Sequence, residues 1–376
     1  MAYVKWSYET LSAFCGDAFR KFGFSDADAD TITDVLLTAD LYGIESHGMQ
    51  RMVRYHKGLE KGTIHRDAKP EIVFETPVSA VIDGHSGMGQ LVGVYAMQKA
   101  IEKAKTSGVG IVTVRESNHY GIAGYYAKMA SDAGMIGFSC TNSEAIMVPT
   151  FGRKAMLGSN PIAIAMPAEP YPFLFDSSTT VVTRGKLEIY NKMDKPLPEG
   201  WALDENGAPS QEAPRVLANI VGKTGGGIVP LGGASETTGS HKGYGYGMIT
   251  EIFSSILSLG VTSSECCTFP DKTGICHGFA AIDLKVFGDA DAIRTHFSDF
   301  LRELRESPKA EGAERIYTHG EKEVEAERDR RENGIQVNDG TMVELADLCE
   351  YLGMDFGNYF PGYTLPEEFK GFAGNY

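Results

Sequence analysis

Residues 110–127 of the chain read Gly110-Ile-Val-Thr-Val-Arg-Glu-Ser-Asn-His-Tyr-Gly-Ile-Ala-Gly-Tyr-Tyr-Ala127. The β-branched residues 110–114 predict a strand, and residues 121–132 predict a helix. His119 therefore lies at the C-terminal end of a predicted strand, just before a helix, which is where ligands bind in open α/β sheets. Two interpretations of His119 remain open from this segment: a catalytic group, or a histidine that only hydrogen-bonds the backbone of a capped turn.

A second histidine lies in the segment Glu45-Ser-His-Gly-Met-Gln-Arg51, which closes an N-terminal region of helical character. The segment offers a hydroxyl on Ser46, a proton carrier on His47 and a guanidinium on Arg51. Arg51 comes four residues after His47, so the two share a face if the segment is helical. An arginine beside a histidine suits a substrate with a carboxylate next to a carbonyl or hydroxyl group. Taken alone, however, the segment favours a structural histidine and an exposed arginine.

The pattern of the remaining chain predicts an α/β fold with an all-helical N-terminal region. Residues 5–62 read as helical, and strands and helices alternate after them. Predicted strands cover residues 71–75, 79–83, 110–114, 135–141, 162–166, 172–176 and 278–283. Predicted helices cover residues 90–107, 121–132, 243–259 and 290–307. The helix at 243–259 is strongly apolar, so we expect it to be buried.

Length, composition and net charge limit the classes of protein to which the chain can belong. The chain has 376 residues, of which 42% are hydrophobic, so it can bury a large core and two domains are expected. A net charge of −15 argues against nucleic acid and anionic membrane surfaces as partners. The sequence shows no apolar run long enough to cross a bilayer and no signal-like N-terminus. We therefore expect a cytoplasmic protein whose six cysteines stay reduced.

Two further patterns resemble functional motifs but are not assigned to them. Gly87, Gly89 and Gly93 follow a predicted strand, as in a dinucleotide-binding fingerprint, but the third glycine falls one place late, so no Rossmann fold is assigned. The group Cys266, Cys267, Cys276 and His277 fits no zinc spacing, and no metal site is predicted.

Four segments together resemble one enzyme family. They are residues 45–51, residues 117–126, Gly158-Ser-Asn-Pro-Ile-Ala163 and His241-Lys-Gly-Tyr-Gly245. In order and length they resemble the type-2 malate/L-lactate dehydrogenase family, which also includes sulfolactate, ureidoglycolate and 2,3-diketogulonate oxidoreductases. The resemblance extends over nearly the whole chain. It implies a non-Rossmann nucleotide-binding fold with a mixed sheet, NAD or NADP as cofactor, and a homodimer.

The resemblance also implies roles for individual residues. His119 matches the active-site histidine, His47 matches a proton donor proposed for some members, and Ser46 and Arg51 match polar groups at the substrate. The residues that match cofactor contacts are Ser143, Asp176, Ser177, Ser178, Lys242, His319, Gly320 and Glu321. Ser177 and Ser178 replace the usual Met-Ala, and His319 replaces a proline. These departures affect the preference between NAD and NADP more than the type of reaction.

The resulting prediction is an oxidoreductase that interconverts a small 2-hydroxy acid and its 2-oxo acid, with malate and oxaloacetate as the first pair. Lactate, sulfolactate and ureidoglycolate are the alternatives within the family. A hydrolase using a serine and a histidine is a remote alternative, because the chain has no G-x-S-x-G motif. A non-catalytic binding protein would leave both histidine segments without a role.

The expected organisation has two parts. Residues 1–75 form a helical region that contributes substrate residues and packs with residues 308–376, and residues 76–307 form the α/β NAD(P)-binding catalytic domain. In the expected chemistry, a protonated histidine stabilises the developing charge on the substrate oxygen and supplies the proton. Which of His47 and His119 delivers that proton is left open.

Overall fold

A seven-stranded mixed sheet lies at the centre of the structure, a computed structural model that describes residues 3–366. The strands in these residues are β1 (Tyr3–Trp6), β2 (Glu71–Glu75), β3 (Ser79–Asp83), β4 (Val109–Ser117), β5 (Met135–Thr141), β6 (Ile162–Met166), β7 (Phe173–Ser177), β8 (Ala202–Leu203), β9 (Pro209–Ser210), β10 (Gly227–Ile228), β11 (Ile275–Asp283) and β12 (Ile335–Asn338). The helices are α1 (Tyr8–Lys21), α2 (Asp26–Leu41), α3 (Met52–Glu60), α4 (Gly89–Ser107), α5 (Ala123–Asp132), α6 (Arg184–Lys192), α7 (Ala213–Gly222), α8 (Ser240–Glu251), α9 (Ala290–Glu306), α10 (Glu321–Asn333), α11 (Asp339–Leu352) and α12 (Phe356–Tyr359). The predicted α/β class with a mixed sheet and a helical N-terminal region is confirmed.

The strand order of the large sheet determines which loops meet. The order is β2-β3-β4-β11-β5-β6-β7, in which β3 and β4 pair in parallel and all other pairs are antiparallel. Because β11 lies between β4 and β5 and opposes both, β4 and β5 run in the same direction. The C-terminal ends of β4, β5 and β7 therefore lie at one edge of the sheet, together with the start of β6. This edge carries the loop of His119 and the loop of Ser143.

Helices cover both faces of the sheet at close range. On one face, an added Cβ at Gly110 would lie 2.0 Å from the carbonyl oxygen of Ala100 in α4. In β11, Gly278 comes three residues before Ala281, the partner of Gly110, so it points to the opposite face. There, its Cβ would lie 2.4 Å from the carbonyl oxygen of Phe253, in the segment that continues α8.

One hydrophobic core joins the N-terminal helices to the sheet. Helices α1–α3 contribute residues such as Phe14, Leu36 and Tyr55 to a buried cluster that also contains Ile82, Met97 and Tyr126. Helices α11 and α12 pack against α1 and α3, so the C-terminal region adjoins the N-terminal one. The small sheet β10-β8-β9 packs with α6 and α7 around a separate cluster. Division of the chain at residues 75 and 307 stays a prediction, and residues 1–2 and 367–376 lie outside the described part.

The apolar helix predicted at residues 243–259 is present, but the prediction that it is buried is wrong. Helix α8 continues as a π-helix at Ile252–Ile256. Its polar residues face the sheet and are buried, among them Thr250, Glu251, Ser254 and Ser255. Its apolar residues face outward, and 51% of the surface of Ile256 is exposed. The usual arrangement of an amphipathic helix is thus inverted.

Residues 3–366 contain no helix that combines the length and the apolar character needed to span a bilayer.

Candidate active site

The loop that carries His119 is fixed by its neighbour Asn118. The buried Asn118 amide donates to the carbonyl oxygens of Thr63, Ser86 and Gly87 at 2.9–3.1 Å. Its amide oxygen accepts a hydrogen bond from the hydroxyl of Thr273 at 2.9 Å. Four contacts from three separate segments therefore hold the residue before His119 in place. The sequence indicated only a turn at this position.

His119 has a direct partner that sequence analysis missed. The hydroxyl of Tyr55 lies 2.8 Å from Nδ1 of His119. No hydrogen bond within residues 3–366 engages Nε2, so this ring nitrogen is the one that can face a ligand. Tyr55 follows Arg51 by four residues, and that helical spacing was the signal that could have revealed it.

His47 stacks on His119 and belongs to the same group. The two imidazole rings lie 5.5 Å apart between centroids, with an interplanar angle of 27°. The Ser46 hydroxyl lies 2.9 Å from Nδ1 of His47, and Nε of Arg51 donates to the carbonyl oxygen of Ser46. The structure therefore brings together the four substrate-site residues named by the sequence. Ser46, His47 and Arg51 lie on two short 3-10 turns, Glu45–His47 and Met49–Arg51, before α3 begins, whereas His119 lies in the loop between β4 and α5.

The charge state of both histidines is determined by burial and by nearby arginines. Burial, followed by the charges of Arg54, His47 and Arg51, holds the pKa of His119 well below its usual value. Burial, then Arg51 and Arg54, lowers the pKa of His47 to about 3. Both rings are therefore neutral at pH 7 in the free protein. A bound anion would offset the arginine charges and raise both pKa values.

A buried amide with unused hydrogen-bonding capacity adjoins the histidine loop. At the start of α4, an added Cβ at Gly89 would lie 2.3 Å from the carbonyl oxygen of His119. The next residue, Gln90, is fully buried, and apart from a contact with the Tyr55 hydroxyl its amide has no hydrogen-bond partner within residues 3–366. Buried amides are normally satisfied, so Gln90 leaves donors and an acceptor for a bound molecule.

Three of the segments predicted to contact a cofactor meet around Ser159. The Ser143 hydroxyl accepts from the backbone N–H of Ser159 at 3.1 Å. The Ser178 hydroxyl donates to the Ser159 carbonyl oxygen at 3.3 Å. Helix α8 contacts this group in its middle, where the amide of Asn160 donates to the carbonyl oxygen of Gly247, and at its start the hydroxyls of Ser240 and Thr150 lie 2.9 Å apart.

Lys242 lies in the first turn of α8, the helix whose residue Gly247 contacts the loops that carry Ser143, Ser159 and Ser178, called the serine loops below. Its side chain is exposed, and no ion pair to it occurs within the described residues. A helix N-terminus with a lysine and several hydroxyls is suited to binding a phosphate group.

Buried His277 connects the two loops at the sheet edge. Its Nε2 lies 2.9 Å from the Ser117 hydroxyl, and its Nδ1 lies 2.8 Å from the Thr141 hydroxyl. The ring also stacks on Tyr120 with centroids 4.3 Å apart. Burial lowers the pKa of His277 to about 3, so the ring is neutral. His277 thus bridges the end of β4 to the end of β5. Within residues 3–366, no group of three or more His, Cys, Asp or Glu side chains is arranged to hold a metal ion.

Asp176 and Ser177 lie at the end of β7, close to the histidine loop. The carboxylate of Asp176 accepts from the backbone N–H of Gly124 at 2.6 Å, at the N-terminus of α5. Burial raises the pKa of this carboxyl to about 6. The Ser177 hydroxyl donates to the Ser178 carbonyl oxygen at 3.0 Å. In this structure Asp176 therefore stabilises the helix that follows His119.

The segment His319–Glu321 lies apart from the serine loops. The His319 ring packs against Phe173 and Phe175, and its carbonyl oxygen accepts from the N–H of Leu174 at 3.2 Å. Gly320 has a φ of +102°, and an added Cβ there would lie 2.3 Å from the Pro172 carbonyl oxygen. Glu321 is fully buried and pairs with Arg305 and Arg315 at 3.3 and 3.1 Å. Within residues 3–366, no hydrogen bond or ion pair joins this segment to Ser143, Ser178 or Lys242.

Comparison with known proteins identifies the family. The sequence model of the family described as malate/L-lactate dehydrogenase matches residues 6–346. The chain belongs to this family. It is 41% identical to a malate dehydrogenase of Pyrococcus abyssi over 94% of this chain and 96% of the relative. It is 37% identical to an L-sulfolactate dehydrogenase of Methanocaldococcus jannaschii over 91% and 96% of the two chains.

A solved structure extends the likeness to the fold. The crystal structure of malate dehydrogenase from Entamoeba histolytica matches with a TM-score of 0.89 and 36% identity, and covers 94% of this chain and 99% of the other. Dehydrogenases of this family use nicotinamide cofactors. The hydroxyls around Ser159, the start of α8 and exposed Lys242 form a donor set that fits the phosphate part of such a cofactor.

Proposed function

We propose that this dehydrogenase interconverts malate and oxaloacetate with NAD or NADP, in a site built on His119. The observation that carries the proposal is the group of His119, Tyr55 and His47 at the sheet edge that also carries the serine loops. Its relatives at about 40% identity are named malate dehydrogenase. Lactate, sulfolactate and ureidoglycolate remain alternative substrates within the family.

In this proposal His119 exchanges the proton and Arg51 holds the carboxylate. Tyr55 occupies Nδ1 of His119, so Nε2 faces the substrate oxygen. In reduction, Nε2 gives a proton to the carbonyl oxygen, and in oxidation the neutral ring takes the hydroxyl proton. The Arg51 guanidinium pairs with the carboxylate next to the reacting carbon and fixes its orientation. The nicotinamide cofactor, when bound, supplies or accepts the hydride.

His47 supports His119 in this proposal and does not itself deliver the proton. The two rings stack face to face, and no hydrogen bond joins them. Nδ1 of His47 is engaged by Ser46, whose carbonyl is held by Arg51. His47 and Ser46 therefore form one wall of the substrate site.

We assign the cofactor to the serine loops and the start of α8. Ser143, Ser177, Ser178 and Lys242 would contact its phosphates or ribose, and Asp176 would orient the loop after His119. The roles of His319, Gly320 and Glu321 at the cofactor stay predictions, because their contacts in this chain are with β7 and α9.

The outward apolar face of α8 supports the homodimer. The exposed apolar side chains include Met248, Ile249, Ile252, Phe253, Ile256 and Leu257. A contiguous apolar surface of this kind is characteristic of a subunit interface. We propose that a second copy of the chain covers it. All six cysteine thiols are unpaired, which supports a cytoplasmic location for this dimer.

The test is a panel of 2-oxo acids, namely oxaloacetate, pyruvate and 3-sulfopyruvate, each assayed with NADH and with NADPH. We expect cofactor oxidation with oxaloacetate, measured by absorbance. Folded protein that oxidises neither cofactor with any of these acids would contradict the proposed function.

A further inference from the structure

We propose that Arg54 binds the second anionic group of the substrate, a carboxylate or sulfonate remote from the reacting carbon. Arg54 would then select dianionic 2-oxo acids over monoanions such as pyruvate. This inference rests on the proposed function and names the substrate class of that site.

The position of Arg54 on α3 places it beside the reacting group. It lies three residues after Arg51 and directly before Tyr55, whose hydroxyl is 2.8 Å from Nδ1 of His119. Residues three apart on a helix have Cβ atoms about 5–6 Å apart and point to the same side. A four-carbon dicarboxylate held at one end by Arg51, with its carbonyl at His119, has its other end within reach of the long Arg54 side chain.

The charge of Arg54 is not neutralised by the protein. Its side chain is exposed, and no hydrogen bond or ion pair to it is found in the described part of the chain. Acidic residues outnumber lysines and arginines by 50 to 35 in this chain, so carboxylates are abundant. Arginines elsewhere, such as Arg20 and Arg215, each pair with several carboxylates. An unpaired cation in an acidic protein attracts anions to its immediate surroundings.

The positive charge of Arg54 lowers the pKa of both His119 and His47. Among charged neighbours, it contributes most to the lowered pKa of His119, ahead of His47 and Arg51. It also lowers the pKa of the Cys267 thiol, which burial raises, so the loop of Cys267 lies within electrostatic range of Arg54. Arg54 therefore places a positive charge on α3 that reaches both His119 and the loop of Cys267.

The chemistry of a guanidinium fits both kinds of second anion. Its planar fork binds a carboxylate through two hydrogen bonds and binds the oxygens of a sulfonate in a similar way. Oxaloacetate and 3-sulfopyruvate both carry such a group, whereas pyruvate carries a methyl group at that position. Arg54 is thus a specificity-determining contact for either dianion.

The test compares Arg54→Gln and Arg54→Lys with the wild-type enzyme on oxaloacetate, 3-sulfopyruvate and pyruvate. We expect Arg54→Gln to lower the ratio of kcat/KM for oxaloacetate to kcat/KM for pyruvate by roughly 10- to 100-fold, the range for loss of a hydrogen bond to a charged group. Arg54→Lys should lower it less. The 3-sulfopyruvate arm shows whether the preferred second anion is a carboxylate or a sulfonate. Arg328→Gln, which removes an exposed arginine from α10, is the matched control.

A binding measurement separates this inference from the proposed function. Calorimetry gives the dissociation constants of malate and lactate in the presence of reduced cofactor, under which no turnover occurs. Malate binding that weakens selectively in Arg54→Gln supports the inference, even if the wild-type enzyme turns over none of the oxo acids. Malate binding that is absent, or that is the same in Arg54→Gln and wild type, would overturn it.

Discussion

His119 is neutral in the free protein at neutral pH, yet the proposed reduction of an oxo acid takes a proton from it. Burial and the charges of Arg54, His47 and Arg51 hold its pKa low. We therefore expect kcat/KM for oxo-acid reduction to rise as pH falls below neutrality, because the protonated fraction of His119 increases. Oxidation of the hydroxy acid needs the neutral ring and should stay active well below pH 6.5. Initial rates in both directions across this pH range test the prediction, and a reduction rate that rises with pH would contradict it.

Replacement of His119 should affect chemistry and leave cofactor binding intact. We expect His119→Ala to lower kcat by about 10²–10⁴-fold, the typical contribution of a general acid. The affinity for NADH or NADPH, measured by fluorescence titration, should change little, because the serine loops are held by their own hydrogen bonds. His296→Ala, at an exposed position on α9, is the control. Near-normal kcat in His119→Ala would move the proton-transfer role to His47.

Enzyme activity should be sensitive to replacement of Arg51 even by lysine. A lysine offers a point charge instead of two parallel hydrogen bonds, and it cannot reproduce the Nε contact to the Ser46 carbonyl oxygen. We expect Arg51→Lys to raise KM for the oxo acid and to lower kcat, and Arg51→Ala to do more harm. Steady-state kinetics with cofactor affinity as control measures both effects. An unchanged KM would show that another cation holds the first carboxylate.

At the level of elements, we expect the outward apolar face of α8 to determine the oligomeric state. A glutamate at Ile256 would place a charge in the proposed interface, and burying an unpaired charge is costly. We expect Ile256→Glu to convert the dimer to a monomer in gel filtration with light scattering. Val221→Glu, at an exposed apolar position on α7, should leave the mass unchanged. A wild-type protein that is already monomeric would refute the proposed interface.

Local sequence patterns predicted the positions of most strands of the large sheet. Strand β6 begins and ends at the predicted residues 162 and 166, and β5 at 135 and 141, because short β-branched and apolar runs between glycines and polar residues specify strands directly. The inverted face of α8 could not be predicted, because periodicity shows which residues share a face but not what covers that face.

The residues of the candidate active site could be predicted from the sequence only where they stand in distinctive local segments. His119, His47 and Arg51 stand in distinctive segments, whereas the contacts of Tyr55, Asn118 and His277 join residues far apart in the sequence. Such contacts arise only from tertiary folding. His277 was considered only as a metal ligand, and the structure shows it bridging two strand ends instead.

For the whole molecule, buried neutral histidines make stability depend on pH. The pKa of His277 falls from 6.5 in the unfolded chain to about 3 in the folded protein. The unfolded state therefore binds more protons between these values, and the free energy of unfolding decreases as pH falls from about 6.5 towards about 3. Each such histidine contributes a slope of up to about 1.4 kcal/mol per pH unit.

Replacement of His277 should flatten this dependence. We expect His277→Gln to be less stable at pH 7, because the bridge between Ser117 and Thr141 is weakened. Its free energy of unfolding should nevertheless change less steeply with pH than that of the wild type. Urea denaturation at several pH values measures both quantities, with His296→Gln as control. Equal slopes in wild type and His277→Gln would show that other groups dominate acid sensitivity.

The position of β11 between β4 and β5 has a consequence for biosynthesis. Strands β4 and β5 end by residue 141, but the strand that joins them begins at Ile275. During translation, the sheet that positions the loops of His119 and Ser143 cannot close when β5 has been made. More than a third of the chain must first be synthesised after β5 before β11 is complete. Contacts of such long sequence separation slow folding, and the open edges of β4 and β5 are exposed to aggregation meanwhile. Chaperone demand during synthesis should therefore be concentrated in the interval before β11 appears.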